Sequence, residues 1–185
     1  AAAADAAGRV HAVYTDGASL ESVKYVVWDG AWSAPETVFS GAGAYTWSVS
    51  VAVDAAGGVH AAWNNTAASP HVRYSSRPAG GTWSTPTGLA DSGNYREVDL
   101  RLDADGRPVV GYTSSAGRLR VARWDGAAFA ASVVDDSLAV DGPAAFALGL
   151  DGRAAFAIKT VGSNGVEVVT GSVAGRIYGV VVDTG

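Results

Sequence analysis

The chain has 185 residues, of which 48% are hydrophobic and 17% are charged, so it can bury a core and is not a disordered tail. It contains no Cys, which excludes disulfides, thiolate metal sites and Cys nucleophiles. The net charge is −5 and the 13 Lys and Arg residues are scattered, a pattern that argues against nucleic acid as a partner.

The first residues, AAAADAAG, lack the charged and long apolar regions of a signal peptide. No run of about 18 apolar residues follows, so we expect no membrane insertion. Because Met is absent, we expect the chain to be a processed or excised piece of its protein. The 24 Gly residues fall between short apolar runs, which is typical of many tight turns.

A ten-residue sequence motif recurs along the chain. Residues 5–14 read DAAGRVHAVY, residues 54–63 read DAAGGVHAAW and residues 103–112 read DADGRPVVGY, a spacing of 49 residues. A fainter copy, LDGRAAF, occupies residues 150–156. Four copies therefore fill the chain, and a fixed period of this kind is the sequence pattern of a repeat architecture.

Each repeat predicts four short strands. Apolar residues alternate with period two in residues 49–53 and 98–102, which places neighbouring side chains on opposite faces of a strand. In the first repeat the corresponding segment, residues 1–4, contains only Ala. A second strand follows each Asp-x-x-Gly turn, and a third includes segments such as residues 23–28. We expect the fourth strands to begin near Trp32, Trp83 or Phe129.

A four-stranded meander that recurs every ~45–50 residues is typical of a β-propeller blade. The sequence therefore predicts an all-β fold, a β-propeller with four blades of four antiparallel strands, in a single domain. We place the blades at approximately residues 1–43, 44–92, 93–139 and 140–185. Either these blades close alone, or they belong to a larger ring, made by a longer chain or by self-association.

Three turn segments resemble known families. Residues 28–32 (WDGAW) and 124–129 (WDGAAF) resemble the WDG turn of secreted bacterial propellers and of six-bladed fucose-binding lectins. Residues 76–83 (SRPAGGTW) are similar to the Asp-box of sialidases, S-x-D-x-G-x-x-W, with Pro78 where the Asp belongs. The resemblance implies a sialidase-like or lectin-like propeller, and with it a location outside the cell or on its surface.

We expect ligand binding on the face that carries the loops between second and third strands and between successive blades. Aromatic rings offer flat apolar surface to the C–H faces of sugars, and amide and guanidinium groups match hydroxyls. The candidate ligand-binding residues in these loops are Tyr45, Trp47, Asn64, Tyr95 and Arg96. The alternative for Trp47 is that it fills space between blades.

His11 and His60 occupy equivalent positions in successive repeats, but we do not expect a metal pair. Equivalent positions in adjacent blades lie more than about 10 Å apart, judging from sheet spacings, whereas zinc ligands lie about 2 Å from the metal. Asp103 and Asp105 could chelate Ca²⁺, yet the further acidic ligands of a calcium loop are missing. We predict no metal and no cofactor.

Arginines follow the turn Gly in three repeats, at Arg9, Arg107 and Arg153. We expect them to be solvated, on the face opposite the candidate site. No pair of glutamates shares a repeat position, so we name no catalytic residue.

The pattern therefore favours a non-enzymatic, secreted or surface binding module that recognises carbohydrate or protein. Two alternatives stay open: a fragment of a sialidase-like glycoside hydrolase, and a structural repeat of a large surface or filament protein.

Overall fold

A computed structural model of the chain describes residues 1–18, 20–41, 43, 45–67, 69–93, 97–135, 140, 145–159, 166–172 and 175–182. These residues form four antiparallel sheets, and each sheet has four strands joined in chain order. The structure therefore confirms the predicted all-β class and the four meanders. No helix among these residues is long and apolar enough to cross a bilayer.

The strands follow one another without a crossover. The first sheet contains β1 (Ala2–Ala4), β2 (Val10–Asp16), β3 (Ser22–Trp28) and β4 (Glu36–Ser40). The second contains β5 (Val49–Val53), β6 (Val59–Asn64), β7 (Val72–Arg77) and β8 (Thr87–Gly88). The third contains β9 (Val98–Leu102), β10 (Pro108–Thr113), β11 (Leu119–Trp124) and β12 (Phe129–Asp135). The fourth contains β13 (Ala145–Leu148), β14 (Ala154–Lys159), β15 (Val166–Ser172) and β16 (Gly175–Val182).

The Asp-x-x-Gly motif forms the turn between the first and second strands of a sheet. The Asp5 carboxylate accepts hydrogen bonds from the backbone N–H groups of Ala7 and Arg9, both at 2.9 Å. Gly8 follows with a φ of 81°, a backbone conformation that favours glycine. Side-chain and backbone geometry together stabilise the hairpin, which explains why the motif recurs.

Two of the fourth strands begin later than the aromatic residues predicted. The fourth strand of the first sheet starts at Glu36 and that of the second sheet at Thr87, rather than near Trp32 and Trp83. A proline stands immediately before each of them, at positions 35 and 86 of the sequence. Isolated pairing does occur near the aromatic residues, at the bridge between Trp28 and Trp32 and in the bond from the Ser84 N–H to the Ser76 carbonyl at 2.8 Å. Proline has no N–H to donate to the ladder, so the continuous strand begins only after it. The third sheet has no such proline, and its fourth strand begins at Phe129 as predicted.

Consecutive sheets pack face to face through their early strands: β2 contacts β5, β5 contacts β9, and β9 contacts β13. Three separate clusters of buried apolar residues fill these interfaces. In the second of them, Tyr112 of β10, which is 2% exposed, belongs to the same buried cluster as the fully buried Ala62 of β6. Large and small side chains from the two sheets thus share this core.

The sheet that a side chain of the second strand faces can be predicted by counting residues from the Gly of the preceding turn. The residue five places after it, such as Ala62 or Gly111, points toward the next sheet along the chain. The residue six places after it, such as Trp63 or Tyr112, points toward the preceding sheet. This alternation is the period-two pattern of a strand that is buried on both faces.

Candidate functional site

Two of the predicted ligand-binding residues form a flat aromatic surface. The rings of Tyr45 and Trp47 stack with their centroids 5.9 Å apart and an interplanar angle of 21°. Each residue is 45% exposed, so about half of Trp47 reaches solvent. The Tyr45 N–H donates to the Thr66 hydroxyl at 3.0 Å, and the Thr66 N–H donates back to the Tyr45 carbonyl at 3.0 Å. These two bonds hold the aromatic pair against the next loop.

Asn64 does not join this surface, because it is fully buried. Its Nδ2 donates to the Gly93 carbonyl at 3.5 Å, and its backbone N–H donates to the Ser48 carbonyl at 3.0 Å. The amide therefore lies inside the protein in this structure. Tyr95 and Arg96, the remaining predicted residues, lie outside the described residues.

Sequence reasoning missed a chain of polar contacts at the opposite edge of the sheets. In the second sheet the Asp54 carboxylate Oδ2 lies 3.2 Å from His60 Nε2, and His60 Nδ1 lies 2.6 Å from the Tyr74 hydroxyl oxygen. The Asp54 carboxylate can only accept, so His60 donates from Nε2, and its Nδ1 then accepts from Tyr74 when the imidazole is neutral. We call this arrangement the Asp–His–Tyr relay.

The first sheet contains the same relay. His11 Nδ1 lies 2.7 Å from the Tyr25 hydroxyl oxygen, and His11 Nε2 lies 3.2 Å from Asp5 Oδ2. The repeated His11 and His60 are therefore hydrogen-bonded links between a turn carboxylate and a tyrosine in the same sheet. Among the described residues, no group of three or more potential ligands could hold a metal ion.

The environment fixes the charge at both ends of the relay in the second sheet. Burial alone would raise the pKa of the Asp54 carboxyl, but hydrogen bonds from the Gly58 N–H, from His60 and from the Ala56 N–H outweigh it and lower that pKa below 3.8. Burial raises the pKa of the Tyr74 hydroxyl above its usual value of 10. At neutral pH, Asp54 is therefore ionised and Tyr74 keeps its proton.

A cleft opens beside this relay, between the second and third sheets, with a volume of about 440 Å³. The third sheet contributes the half-buried Trp124 and residues 106–108. The second sheet and the segment before β8 contribute the groups His60, Tyr74, Ser76, Ser84, Thr85 and Thr87. The cleft thus combines an indole and a phenol ring with four hydroxyl groups and the Arg107 guanidinium. None of the described residues that line it is acidic.

Arg107 was expected to be a solvated turn residue far from any site. It is indeed about half exposed and lies 3.2 Å from the Asp105 carboxylate, but it also forms part of the cleft wall. The cleft lies at the edge that carries the Asp-x-x-Gly turns, whereas Tyr45 and Trp47 lie at the other edge. The structure therefore contains two candidate surfaces, one on each side of the sheets.

The interface between the first and second sheets is filled at the equivalent place. Arg77 lies 5.1 Å from the centre of the Tyr25 ring and forms an ion pair with Glu36. The edge of Trp83 packs on Tyr25 with centroids 5.5 Å apart. Arg77 is the last residue of β7, and Trp124 is the last residue of the equivalent strand β11. A guanidinium group therefore covers the first relay, while the second relay faces a cleft.

Comparison with known proteins connects the chain to others by structure. No protein-family model matches the sequence, and a search among curated proteins gave no match. The structure is similar to that of a protein of unknown function from Dyadobacter fermentans, with a TM-score of 0.61 and 16% identity over 96% of this chain and 50% of that one.

Two further similar structures are of proteins that act on or bind carbohydrate. One is a PL25 ulvan lyase, a polysaccharide lyase, with a TM-score of 0.62 and 11% identity over 92% of this chain and 51% of that one. The other is the lectin SapL1 in complex with α-methyl fucoside, with a TM-score of 0.58 and 16% identity over 97% of this chain and 63% of that one. At these identities the likeness shows the fold alone. The chain spans about half the length of the Dyadobacter protein and of the lyase.

Proposed function

We propose that this chain is a β-propeller module that binds carbohydrate in the cleft between the second and third sheets. The observation that carries the proposal is the composition of the cleft, in which Trp124 and Tyr74 share a space of about 440 Å³ with hydroxyl groups and a guanidinium. That volume falls within the roughly 300–1,000 Å³ of small-ligand sites.

The cleft presents apolar surface for the C–H groups of a sugar and polar groups for its hydroxyls. The half-buried indole of Trp124 provides apolar surface for C–H groups, and its ring is fixed by an edge contact with Phe129 at 5.3 Å. Thr85 and Thr87 are exposed, and their hydroxyls can both donate to and accept from sugar hydroxyls. The Ser84 hydroxyl also lines the cleft, where it accepts from the Ser76 N–H at 3.1 Å. Arg107 adds donors that match a hydroxyl pair or an acidic substituent.

The packing of the sheets supports the propeller architecture. The first strand of one sheet contacts the first strand of the next, as β1 does with β5, β5 with β9 and β9 with β13. Four-stranded meanders that succeed one another in this way, with small and large residues alternating across each interface, are the units from which propellers are made. The structural likeness to a fucose lectin also supports carbohydrate as the ligand class.

We propose binding rather than hydrolysis, and a working location outside the cell or on its surface. The Asp–His–Tyr relay occurs twice, and in the first sheet it is covered by Arg77 and Trp83. A relay that is retained where Arg77 and Trp83 cover its tyrosine is best explained by its role in stability. The same reasoning weighs against a fragment of a hydrolase whose acid would lie in this cleft.

A glycan array, followed by calorimetric titration with the strongest ligand and with methyl α-fucoside, tests the proposal. We expect Trp124→Ala to reduce sugar affinity at least about tenfold, equivalent to about 1.4 kcal/mol. Trp47→Ala is the matched control, because it removes a half-exposed indole from the opposite edge.

Each result points to a different surface. Loss of binding in Trp124→Ala with full binding in Trp47→Ala supports the cleft. The reverse pattern would place the site on the Tyr45–Trp47 pair and overturn the proposed location. A folded wild-type protein that binds no glycan of the array would overturn the proposed function.

A further inference from the structure

We propose that the outer face of the first sheet binds the outer face of the fourth sheet of a second copy of this chain. This inference concerns assembly and does not depend on whether the cleft binds sugar. It rests on Tyr14, which is exposed in the first sheet, and on Ala157, which is half-buried in the fourth, although their equivalents in the second and third sheets are buried.

The first sheet presents an aromatic face with no sheet against it among the described residues. Tyr14 is 36% exposed, and it stands six places after its turn Gly. The residues at the same place in the second and third sheets are Trp63, which is fully buried, and Tyr112, which is 2% exposed. Both pack against the preceding sheet. Tyr14 therefore occupies a position that contacts the preceding sheet in the second and third repeats, but in the first sheet it is exposed to solvent.

The outer turn of the first sheet repeats the geometry of the third. Trp28 and Trp32 meet edge to face with centroids 5.5 Å apart and an interplanar angle of 65°. Trp124 and Phe129 meet at 5.3 Å and 66°. In the third sheet this pair adjoins the second sheet across the cleft, whereas Trp28 and Trp32 are 40% and 54% exposed. The first sheet therefore carries one wall of a second cleft.

The fourth sheet presents the complementary face. Its outward residues are small or short, at Ala145, Ala147, Ala155, Ala157, Val168 and Thr170. Ala157 lies five places after its turn Gly, the position of Ala62 and Gly111. Near those two positions the next sheet places a large side chain: Tyr112 lies in the same buried cluster as Ala62, and Phe146 comes so close to Gly111 that a Cβ there would lie 2.8 Å from its ring. By the same rule Ala157 accepts Tyr14.

A second copy of the chain is the occupant that fits this pairing. The two faces differ, so they join head to tail, and such heterologous contacts make a ring when the rotation closes. The chain spans 50% and 51% of the length of two similar structures. Two copies would therefore supply about as many residues as one of those chains. We expect a ring of two copies held by two equivalent interfaces.

Light scattering and sedimentation velocity on this 185-residue chain test the inference. We expect a mass of twice 18.6 kDa. Tyr14→Asp and Ala157→Arg should each raise the dissociation constant of the dimer at least about tenfold, because each places a new charge in the proposed contact. Combining both in one chain should restore much of the affinity, since the new charges face each other across the interface. Tyr45→Asp, at a residue with similar exposure on another surface, is the control.

The masses of the wild type and the variants distinguish the proposed interface from the alternatives. Dimers that both single variants dissociate, and that the double variant restores, support the proposed pairing. A wild-type chain that is a folded monomer by circular dichroism at every concentration would overturn it. So would a dimer that neither Tyr14→Asp nor Ala157→Arg weakens, because its interface would lie elsewhere.

Discussion

His60 Nδ1 lies 2.6 Å from the Tyr74 hydroxyl oxygen, and this contact borders an open cleft. The equivalent contact between His11 and Tyr25, at 2.7 Å, is closed off by Arg77. The two relays share the bonds that join aspartate, histidine and tyrosine, but the second is more exposed, and only in the first does the aspartate also accept from an arginine, Arg9 Nε at 2.7 Å. They form a natural pair for measuring what that exposure contributes.

We expect Tyr25→Phe to cost more stability than Tyr74→Phe. The first change leaves His11 Nδ1 without a partner in a side chain that is only 4% exposed, at a cost of about 1–3 kcal/mol. The second change leaves His60 Nδ1 beside the cleft, where water can replace the hydroxyl, so the cost is about 0.5–1.5 kcal/mol. Urea unfolding of both variants measures the difference. Equal costs would contradict the idea that water reaches only the second relay.

Stability should fall in acid partly because of Asp54. Its carboxyl has a pKa below the value of 3.8 that it has when unfolded, so it stabilises the folded state above about pH 4. That contribution is lost as the pH falls through the folded pKa. We therefore expect Asp54→Asn to be less stable than wild type at neutral pH, by a margin that shrinks toward about pH 3. Unfolding of both proteins at several pH values measures it, with the exposed turn residue Asp29→Asn as baseline.

Gly111→Ala should destabilise the protein by about 1–3 kcal/mol through overpacking. A Cβ at Gly111 would lie 2.8 Å from the Phe146 ring and 3.0 Å from that of Phe156. Combining it with Phe156→Leu should cost less than the sum of the two single changes, because the smaller side chain makes room. Thermal unfolding of the three variants gives this comparison.

Gly106→Ala should also destabilise the protein, but by a different cause. Nothing lies within 4 Å of a Cβ at Gly106, whereas its φ of 75° strains any other residue by about 1–2 kcal/mol. Gly106→Asn should recover part of that loss, since Asn tolerates this conformation. If Asn were as costly as Ala, backbone strain would not be the reason for glycine at this turn.

Arg77→Ala should reduce stability by less than about 1.5 kcal/mol. Its partner Glu36 is 44% exposed on its side chain, and exposed ion pairs contribute little. The contact with the Tyr25 ring adds about 0.5–1 kcal/mol. Chemical unfolding of Arg77→Ala and Glu36→Gln separates the two parts, because the second change removes the ion pair and leaves the contact with the Tyr25 ring.

The sequence predicted the strands and turns well because both depend on local rules. The alternation of Val49, Val51 and Val53 predicts a strand, and the motif from Asp5 to Gly8 predicts a turn. Where a start was misplaced, at Glu36 and Thr87, the cause was also local and visible in the sequence, since a proline precedes each strand.

The cleft could not be predicted in the same way, because it depends on contacts between sheets. Its Trp124 and Thr85 come from different repeats, and only the packing brings them together. The relay, however, did leave a signal. Tyr25 and Tyr74 each follow their histidine by 14 residues, and each histidine follows its aspartate by six. Cross-strand pairing turns this repeated spacing into a hydrogen-bonded chain, so it could have been found.

One position, the last residue of the third strand, carries Arg77 in the second sheet, where the guanidinium lies over the Tyr25 ring, and Trp124 in the third, where the indole lines the open cleft. Under the function proposed above, the valency of such a protein would follow the side chain at this position in each sheet and not the number of repeats. Exchanging an arginine and a tryptophan there would then be a small change that converts a monovalent protein into a multivalent one on the same backbone.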